Sequence, residues 1–389
     1  MNQVQAGPRR HGATRSASVL AVAALAVAGC ATDTEPPAAS AGGAGGLAGA
    51  CPDPVVVQSP WWPQSEHGTF YHLVGDGYQV DAEGLSVTGP LVASGVDTGI
   101  RVEVRAGGPA VGFQNAASLM YADDAILLGQ VATDDAIGLS AETPVMAVMA
   151  PMDIAPYMIM WDQERFPEFN TVVDIGRTDT PVLYFDGATY MDYLVGSGIL
   201  REEQIDGSYD GSPSRWLAED GGLAQQGFAT NEPYVYENEL DAWGKPVRFQ
   251  LIHHTGYPIY PEAVVIRADQ LDQHAGCLAE LVPILQQSLV DYLQDPAGTN
   301  QLIVELTDAY GAFAYGPEKA TWAVEQQLEL AIVSNGDNAT IGDFDLDRVQ
   351  QTLDIVAPIY TGQRREIAPD LTPEDLVSNQ FIDPAIGLP

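Results

Sequence analysis

The chain has 389 residues, and its 53 Asp and Glu residues outnumber its 16 Lys and Arg residues, which gives a formal net charge of −37 at pH 7. So large an excess of acid disfavours nucleic acid as a partner, because its phosphate groups would be repelled. The length suffices for two lobes of ordinary size or for one large domain with a sizeable core.

The first 29 residues have the pattern of a bacterial lipoprotein signal peptide. Arg9, Arg10 and Arg15 precede the apolar run Val19–Ala28, and small residues lead into Cys30. A signal peptidase would cut before Cys30, which would then carry lipid. A transmembrane anchor is disfavoured because the run is too short to span a bilayer, whereas an ordinary signal peptide with an accidental cysteine is the alternative. The pattern predicts a protein anchored by lipid to the outer face of the bacterial cell membrane.

Residues 30–50 are predicted to form a disordered tether. They are mainly Ala, Gly, Pro, Ser and Thr, and they offer too little apolar surface to fold. Once Cys30 is lipidated, Cys51 and Cys277 remain as an even pair in an oxidising compartment. We predict that these two cysteines form a disulfide, and two unpaired thiols are the alternative.

Short apolar runs bounded by Gly, Pro, Asp or Thr predict strands of a largely parallel, buried sheet. In chain order these runs are Pro54–Val57, Ile100–Val104, Ala125–Val131, Pro144–Ala150, Val182–Phe185, Val247–His253 and Ala263–Ile266. Helices are predicted over Asn115–Tyr121 and from Thr189 to Leu194, and the last third is mostly helical. Two apolar stripes in that third predict core packing: Leu281, Leu285, Leu289 and Leu293, then Val349, Leu353 and Val356. The order predicts one α/β lobe, a second α/β lobe and a helical return that packs against the first.

Several phrases along the chain have a family resemblance. The first is QSPWWPQSEHGTFY from Gln58 to Tyr71, followed by Gly77-Tyr78 and by EGLSV at 83–87; later phrases are GGP at 107–109, GFQN at 112–115, FATNEPY at 228–234 and WGKPV at 243–247. Together they resemble the SsuA/THI5-like (NMT1/THI5) substrate-binding proteins of ABC importers, a family that takes nitrate, sulfonates, taurine and thiamine precursors. Gln79 and Val80 depart from the acids that are usual in this family.

The resemblance implies a type II periplasmic-binding-protein fold, in which two α/β lobes are joined by two crossovers and close on a ligand between them. We expect the crossovers near Ala150–Ala155 and His253–Tyr257. Lobe I then comprises residues 51–150 and the return 254–389, and lobe II comprises residues 151–253. The resemblance also implies a monomer whose closed form is recognised by the transmembrane subunits of an ABC permease.

Loops at strand ends and helix N-termini are expected to line the ligand cleft of such a fold. Aromatic side chains would stack on a flat ligand, and amide and acid side chains would fix its polar atoms. Each type of residue has an alternative role that remains open. Trp161, and either Trp61 or Trp62, could pack in a core, and Asn115 could cap a helix. Glu232 could be a solvated surface acid, and Tyr257 and Tyr260 could pack at the hinge. The predicted ligand-binding residues are Trp61, Trp62, Gln64, Glu66, Gln114, Asn115, Trp161, Thr189, Tyr190, Asn231, Glu232, Tyr234, Tyr257 and Tyr260.

The candidate loops contain no Arg or Lys, which favours a nitrogen heterocycle over a sulfonate- or nitrate-type oxyanion, although helix N-termini alone can bind oxyanions. We expect a pyrimidine-, thiamine- or riboflavin-related compound. No enzyme activity and no cofactor are expected, because the cysteine-rich iron motif of the THI5-type pyrimidine-synthesis branch is absent, but that enzyme role is an alternative. A metal site at His253 and His254 is disfavoured, since adjacent side chains on a strand point to opposite faces.

Overall fold

The computed structural model describes residues 46–389. The predicted signal peptide, the lipidation site Cys30 and most of the predicted tether therefore lie outside the described residues. Within residues 46–389, no helix is both long enough and apolar enough to cross a membrane.

The described part of the chain alternates strands and helices before ending in long helices. Its strands are β1 (Val55–Gln58), β2 (Gln79–Asp81), β3 (Ser86–Ala93), β4 (Val96–Arg105), β5 (Ile126–Val131), β6 (Val145–Met149), β7 (Tyr157–Trp161), β8 (Val182–Leu183), β9 (Ile205–Asp206), β10 (Ala224–Phe228), β11 (Arg248–Leu251) and β12 (Ala263–Arg267). Its helices are α1 (Gly68–Tyr71), α2 (Ala116–Ala122), α3 (Thr133–Leu139), α4 (Val172–Gly176), α5 (Thr189–Gly196), α6 (Ser214–Ala218), α7 (Glu232–Tyr234), α8 (Leu271–Gln294), α9 (Ala297–Tyr310), α10 (Pro317–Glu329) and α11 (Leu346–Gly362).

Lobe I is built on a seven-stranded sheet with the order β2-β3-β4-β1-β5-β12-β6. Strand β1 is parallel to β4 and β5, and every residue of β1 and β5 is buried, as a strand covered on both faces requires. Strand β12 returns late in the chain and inserts antiparallel between β5 and β6. The two predicted apolar stripes are confirmed as buried faces of α8 and α11.

The sheet of lobe I is mixed, so the prediction of a largely parallel sheet is only partly correct. Strands β3 and β4 form an antiparallel hairpin that begins at Ser86, well before the predicted strand at Ile100. Its two-residue turn, Ser94 and Gly95, has positive φ at both positions, the conformation that matches the twist of paired strands. Alternating burial along β4 shows that one face of the hairpin is solvated. The hairpin therefore has no continuous apolar run over most of its length, and continuous apolar runs do not predict it.

Lobe II is built on a five-stranded sheet with the order β11-β7-β10-β8-β9. The chain enters this sheet between Met149 and Tyr157 and returns to the first sheet between Leu251 and Ala263. Strand β10 is parallel to β8 and antiparallel to β7. Two sheets joined by two crossings of the chain form the two α/β lobes that the sequence implies.

The predicted strand over Val247–His253 is too long. Strand β11 ends at Leu251, and residues 252–255 form a 3₁₀ turn that closes at Gly256, whose φ is +97°. His253 and His254 therefore do not lie on opposite faces of a strand, and their rings stand 5.6 Å apart and nearly perpendicular. The prediction that these two histidines lie on a strand is wrong, and no group of three His, Cys, Asp or Glu residues within 46–389 is arranged to hold a metal ion.

Cys51 and Cys277 form a disulfide in the structure, across a sequence separation of 226 residues. Cys277 lies in the first half of α8 and is buried. The bond joins the start of lobe I to its helical return, as predicted.

Candidate functional site

The loop after β1 carries the paired tryptophans to the edge of the sheet of lobe I. The Gly107 N–H donates to the carbonyl of Trp61, and the Trp61 ring lies against Gly108 and 5.9 Å from the Phe113 ring. A Cβ at Gly107 would lie 2.1 Å from the Ser59 carbonyl oxygen, so only glycine permits this approach of the two loops. Trp61 is half-buried, which leaves part of its ring available to a ligand.

Glu66 is one of the residues through which lobe I contacts lobe II. It is 5 % exposed, and its Oε1 accepts a hydrogen bond from Thr230 Oγ1, which follows β10. Burial raises the pKa of Glu66 to about 7, against the opposing effect of the Thr230 hydrogen bond. The side chain thus spans the interlobe cleft, by which we mean the surfaces of the two lobes that face each other around Glu66.

A second carboxylate of lobe I, Glu262, lies beside Glu66 at the end of the return crossover. His67 Nε2 is 3.1 Å from Glu262 Oε2, an ion-pair distance, but the atoms are not aligned as a hydrogen bond. The backbone carbonyl of Glu262 accepts from Gln130 Nε2, whose Oε1 accepts from Ser59 Oγ. The sequence does not predict Glu262, His67 and Gln130 as site residues, because no local pattern shows that the crossover returns beside β1 and β5.

The cleft side of lobe II is aromatic. The rings of Tyr157 and Tyr190 stack at 5.6 Å, and Phe228 meets Tyr157 edge-on at 5.4 Å. The Tyr190 hydroxyl donates to Gln226 Oε1 at 2.6 Å. These side chains form an aromatic wall with a polar edge, and aromatic side chains of this kind contact planar ligands.

Glu232 follows this wall at the start of α7. Its Oε2 accepts the Phe228 N–H at 2.6 Å, and its Oε1 accepts the Tyr209 hydroxyl at 3.4 Å. Burial raises the pKa of Glu232, and these hydrogen bonds oppose the rise. The neighbouring Asn231 has a buried Oδ1 without a hydrogen-bond partner.

The lobes also meet at α10. Lys319 is only 2 % exposed, and its Nζ donates to the Ala314 carbonyl and, across the lobes, to Glu239 Oε2 at 3.2 Å. The rings of Tyr234 and Trp322 pack at 5.4 Å beside this ion pair. Tyr234 is a predicted cleft residue, whereas no local pattern in the sequence indicates its partner Trp322.

Several predicted ligand residues have structural partners. Asn115 caps α2 by accepting the Ser118 N–H, and both it and Gln114 are exposed. The Thr189 hydroxyl shares a hydrogen bond with the Tyr360 hydroxyl of α11. The Tyr257 hydroxyl donates to Asp134 at 2.7 Å. The Tyr260 ring packs against the Arg348 guanidinium, and the Tyr260 hydroxyl accepts the Asp345 N–H. Trp62 is half-buried and packs against a hydrophobic core cluster, and Gln64 is half-buried at the start of the turn that carries Glu66. For Asn115, the capping alternative describes the observed contact.

The prediction that Trp161 lines the ligand cleft is wrong, because this residue belongs to the core of lobe II. It is 0 % exposed and packs against Phe169. Strand β7 begins near the crossover with Tyr157 and runs away from it, so its last residue, Trp161, is carried to the far end.

Replacing Trp161 with phenylalanine should therefore lower stability and leave ligand affinity unchanged. The Trp161 Nε1 has no hydrogen-bond partner, so the substitution removes only packing and leaves a small cavity, which costs about 1–2 kcal/mol. Chemical denaturation measures the first effect and calorimetric titration the second. A change in ligand affinity above threefold would contradict the core position and indicate that Trp161 contacts the ligand.

Two shallow hollows on the surface lie elsewhere. One of about 290 Å³ is lined by residues including Leu85, Arg105 and Leu119, and another of about 270 Å³ by residues including Ser140 and Leu371. Neither is lined by the facing carboxylates or aromatics of the cleft, where the two lobes pack against each other. The cleft is therefore identified by its chemistry and by its position between the lobes.

No protein-family model and no curated relative matches the sequence. Among solved structures, the periplasmic aliphatic sulphonate binding protein SsuA from Escherichia coli matches with 11 % identity and a TM-score of 0.50, over 83 % of this chain and 94 % of that one. A putative periplasmic sulfonate-binding protein SsuA from Methylobacillus flagellatus matches with 12 % identity and a TM-score of 0.51, over 85 % of this chain and 93 % of that one. This chain therefore has the two-lobed periplasmic-binding-protein fold that the sequence resemblance implies and that these SsuA proteins share.

Proposed function

We propose that this protein is an extracytoplasmic solute-binding protein that captures a small molecule between its lobes and delivers it to an ABC importer. The observation that carries the proposal is the bridge between Glu66 and Thr230, which joins the lobes at a place lined by aromatic and polar side chains. Two lobes that hinge about paired crossovers can use ligand contacts to favour the closed form. The SsuA proteins with the same fold are named as sulfonate-binding components.

The favoured cargo is a nitrogen heterocycle, such as a pyrimidine-, thiamine- or riboflavin-related compound. The wall of Tyr157, Tyr190 and Phe228 supports this choice, because flat faces suit stacking. Half-buried Trp61 offers a further face from lobe I. A sulfonate- or nitrate-type oxyanion is the second candidate, supported by the names of the SsuA proteins, and no catalytic role is proposed.

The proposed lobe boundaries, signal peptide and lipid anchor are those inferred from the amino-acid sequence. Residues 51–150 and 254–389 would form lobe I, residues 151–253 lobe II, and residues 1–29 would be removed as a signal peptide. Lipidated Cys30 would hold the monomer at the outer face of the membrane, where the closed form would meet the permease subunits.

A thermal-shift screen of the purified protein tests the binding role. Any ligand that binds only the native state raises the melting temperature, so heterocyclic vitamins and precursors, sulfonates, nitrate, amino acids and divalent metals form the panel. We expect a heterocycle to bind and Trp61→Ala to weaken its binding about tenfold, through lost stacking and apolar contact.

The matched control for that measurement is Trp161→Phe, which removes indole from the core of lobe II and should leave affinity unchanged. A shift with oxyanions alone would contradict the favoured cargo while preserving the binding role. If no compound of the panel raises the melting temperature, the binding role is contradicted.

A further inference from the structure

Three carboxylates of lobe I are buried at the interlobe cleft without a Lys or Arg ion-pair partner among the described residues. Glu66, Asp134 and Glu262 are 5 %, 7 % and 8 % exposed. Asp134 Oδ2 accepts the Tyr257 hydroxyl, but its Oδ1 has no hydrogen-bond partner, and neither has Glu262 Oε2. Buried carboxylates are ordinarily paired or fully hydrogen-bonded, because desolvating a lone charge is costly.

The three groups belong to one place in the fold. The charge of Glu262 acts on Glu66, and the charges of Asp134 and Glu262 both act on Tyr157, whose pKa is raised mainly by burial. The backbone explains the proximity, since the Thr133 N–H donates to the Tyr260 carbonyl and so ties the start of α3 to the crossover that carries Glu262. Strand ends from three parts of the chain thus converge there.

The positive groups nearby do not balance these carboxylates. His67, fully buried, approaches Glu262 and can supply at most one positive charge, and its Nδ1 has no hydrogen-bond partner. Arg365 acts on Asp134 from an exposed position, where it contacts the Gly138 carbonyl and the Tyr360 ring. Glu66 and Glu262 therefore share one buried imidazole, and Asp134 is reached only by the exposed Arg365, so the cleft favours positive charge.

We propose that Glu66, Asp134 and Glu262 form a subsite for a positively charged nitrogen of the ligand, an organic ammonium or a cationic heterocycle. This inference rests on the proposed solute-binding role, and it adds that the ligand carries a positive charge. The stacked rings of Tyr157 and Tyr190 lie on the opposite side of the cleft, where their faces stabilise a cation by cation–π attraction. An organic cation is favoured over a metal ion, because no three metal-ligating side chains within residues 46–389 are arranged to coordinate one.

The proposed subsite would distinguish this cleft from those of the SsuA proteins named for sulfonate binding. An anionic head group placed beside Glu66 and Glu262 would be repelled in a site that excludes water. The same overall fold would here carry cargo of the opposite sign, because the binding loops, and not the sheets, set the chemistry.

Calorimetric titration of the purified protein with charge-matched probe sets tests this proposal. The sets are 1-methylnicotinamide, nicotinamide and nicotinate, and choline, 3,3-dimethylbutanol and 3,3-dimethylbutyrate, supplemented by those amino acids and heterocyclic vitamins of the thermal-shift panel that carry a positive charge. We expect the tightest ligands to be cations, bound at least tenfold more tightly than their neutral isosteres. Glu262→Gln should reduce that ratio to threefold or less, and Glu66→Gln, which keeps shape and hydrogen bonding, should reduce it independently. Glu325→Gln, on the exposed face of α10, should leave the ratio unchanged.

The remaining outcomes separate the two proposals. If the tightest ligands are neutral or anionic, or if only divalent metals bind, the cation subsite is wrong while the protein still binds solutes. If the cation preference survives both glutamine substitutions, these carboxylates do not hold the charge. Binding of no compound by a protein that melts cooperatively would overturn the binding role and the subsite together.

Discussion

Replacing Cys51 and Cys277 with serine should lower the free energy of unfolding by about 5 kcal/mol. The disulfide joins positions 226 residues apart, so its main effect is to restrict the unfolded chain, and the entropy removed grows with the length of the closed loop. Guanidinium denaturation of the wild-type protein and of the double serine variant measures the difference.

Reductant supplies the control for the disulfide. Dithiothreitol should destabilise the wild-type protein to the level of the serine variant and should leave that variant unchanged. Equal stability of the wild-type protein with and without reductant, together with two titratable thiols in the denatured, unreduced protein, would show that the bond does not form.

Glutamine at position 66 should make the protein more stable than the wild type at alkaline pH. The pKa of Glu66 is raised from 4.5 to about 7, so the native state favours the protonated carboxyl. The contribution of protonated Glu66 to the free energy of unfolding is fully present below pH 4.5 and is lost as the pH rises through 7. The reason is that ionising this carboxyl costs more in the folded than in the unfolded state. The stability of the wild type relative to Glu66→Gln should therefore fall by about 3 kcal/mol between pH 4.5 and pH 8.5.

Chemical denaturation of both proteins at several pH values measures this difference. Glu66 faces His67 and Glu262 in lobe I, Thr230 in lobe II and Tyr315 from the segment before α10. Those groups are common to the wild type and the variant, so the difference isolates Glu66. Glu325→Gln provides a matched exposed control with no expected dependence on pH, and a pH-independent stability difference for Glu66→Gln would contradict the burial of the Glu66 carboxyl group.

Predictions from the sequence succeeded where burial is local and continuous. Strands β1 and β5 are mostly apolar and are buried along their whole length, and the stripe on α8 is buried at each predicted position. Such patterns follow from the periodicity of a single element and need no knowledge of its neighbours. The disulfide was predicted for a related reason, since pairing followed from counting cysteines and from the compartment.

Predictions failed where position along an element, or contact between elements, decided the outcome. Trp161 was placed at the cleft because it follows the first crossover, yet the direction of β7 carries it into the core. His253 was placed on a strand that ends at Leu251. Side-chain surroundings of this kind depend on strand direction and termination, which residue composition determines weakly.

The amino-acid order alone determined the α/β class, the two-lobed organisation, the cysteine pair and the aromatic loop after β1, because each rests on local pattern or on composition. Only the tertiary structure decided which polar groups meet. Glu66 and Thr230 are 164 residues apart in sequence and His67 and Glu262 are 195 apart, and the crossovers bring each pair together. The charge of the cleft is a property of that convergence, since burial and lack of a counter-ion arise only when distant loops remove the same carboxylates from water.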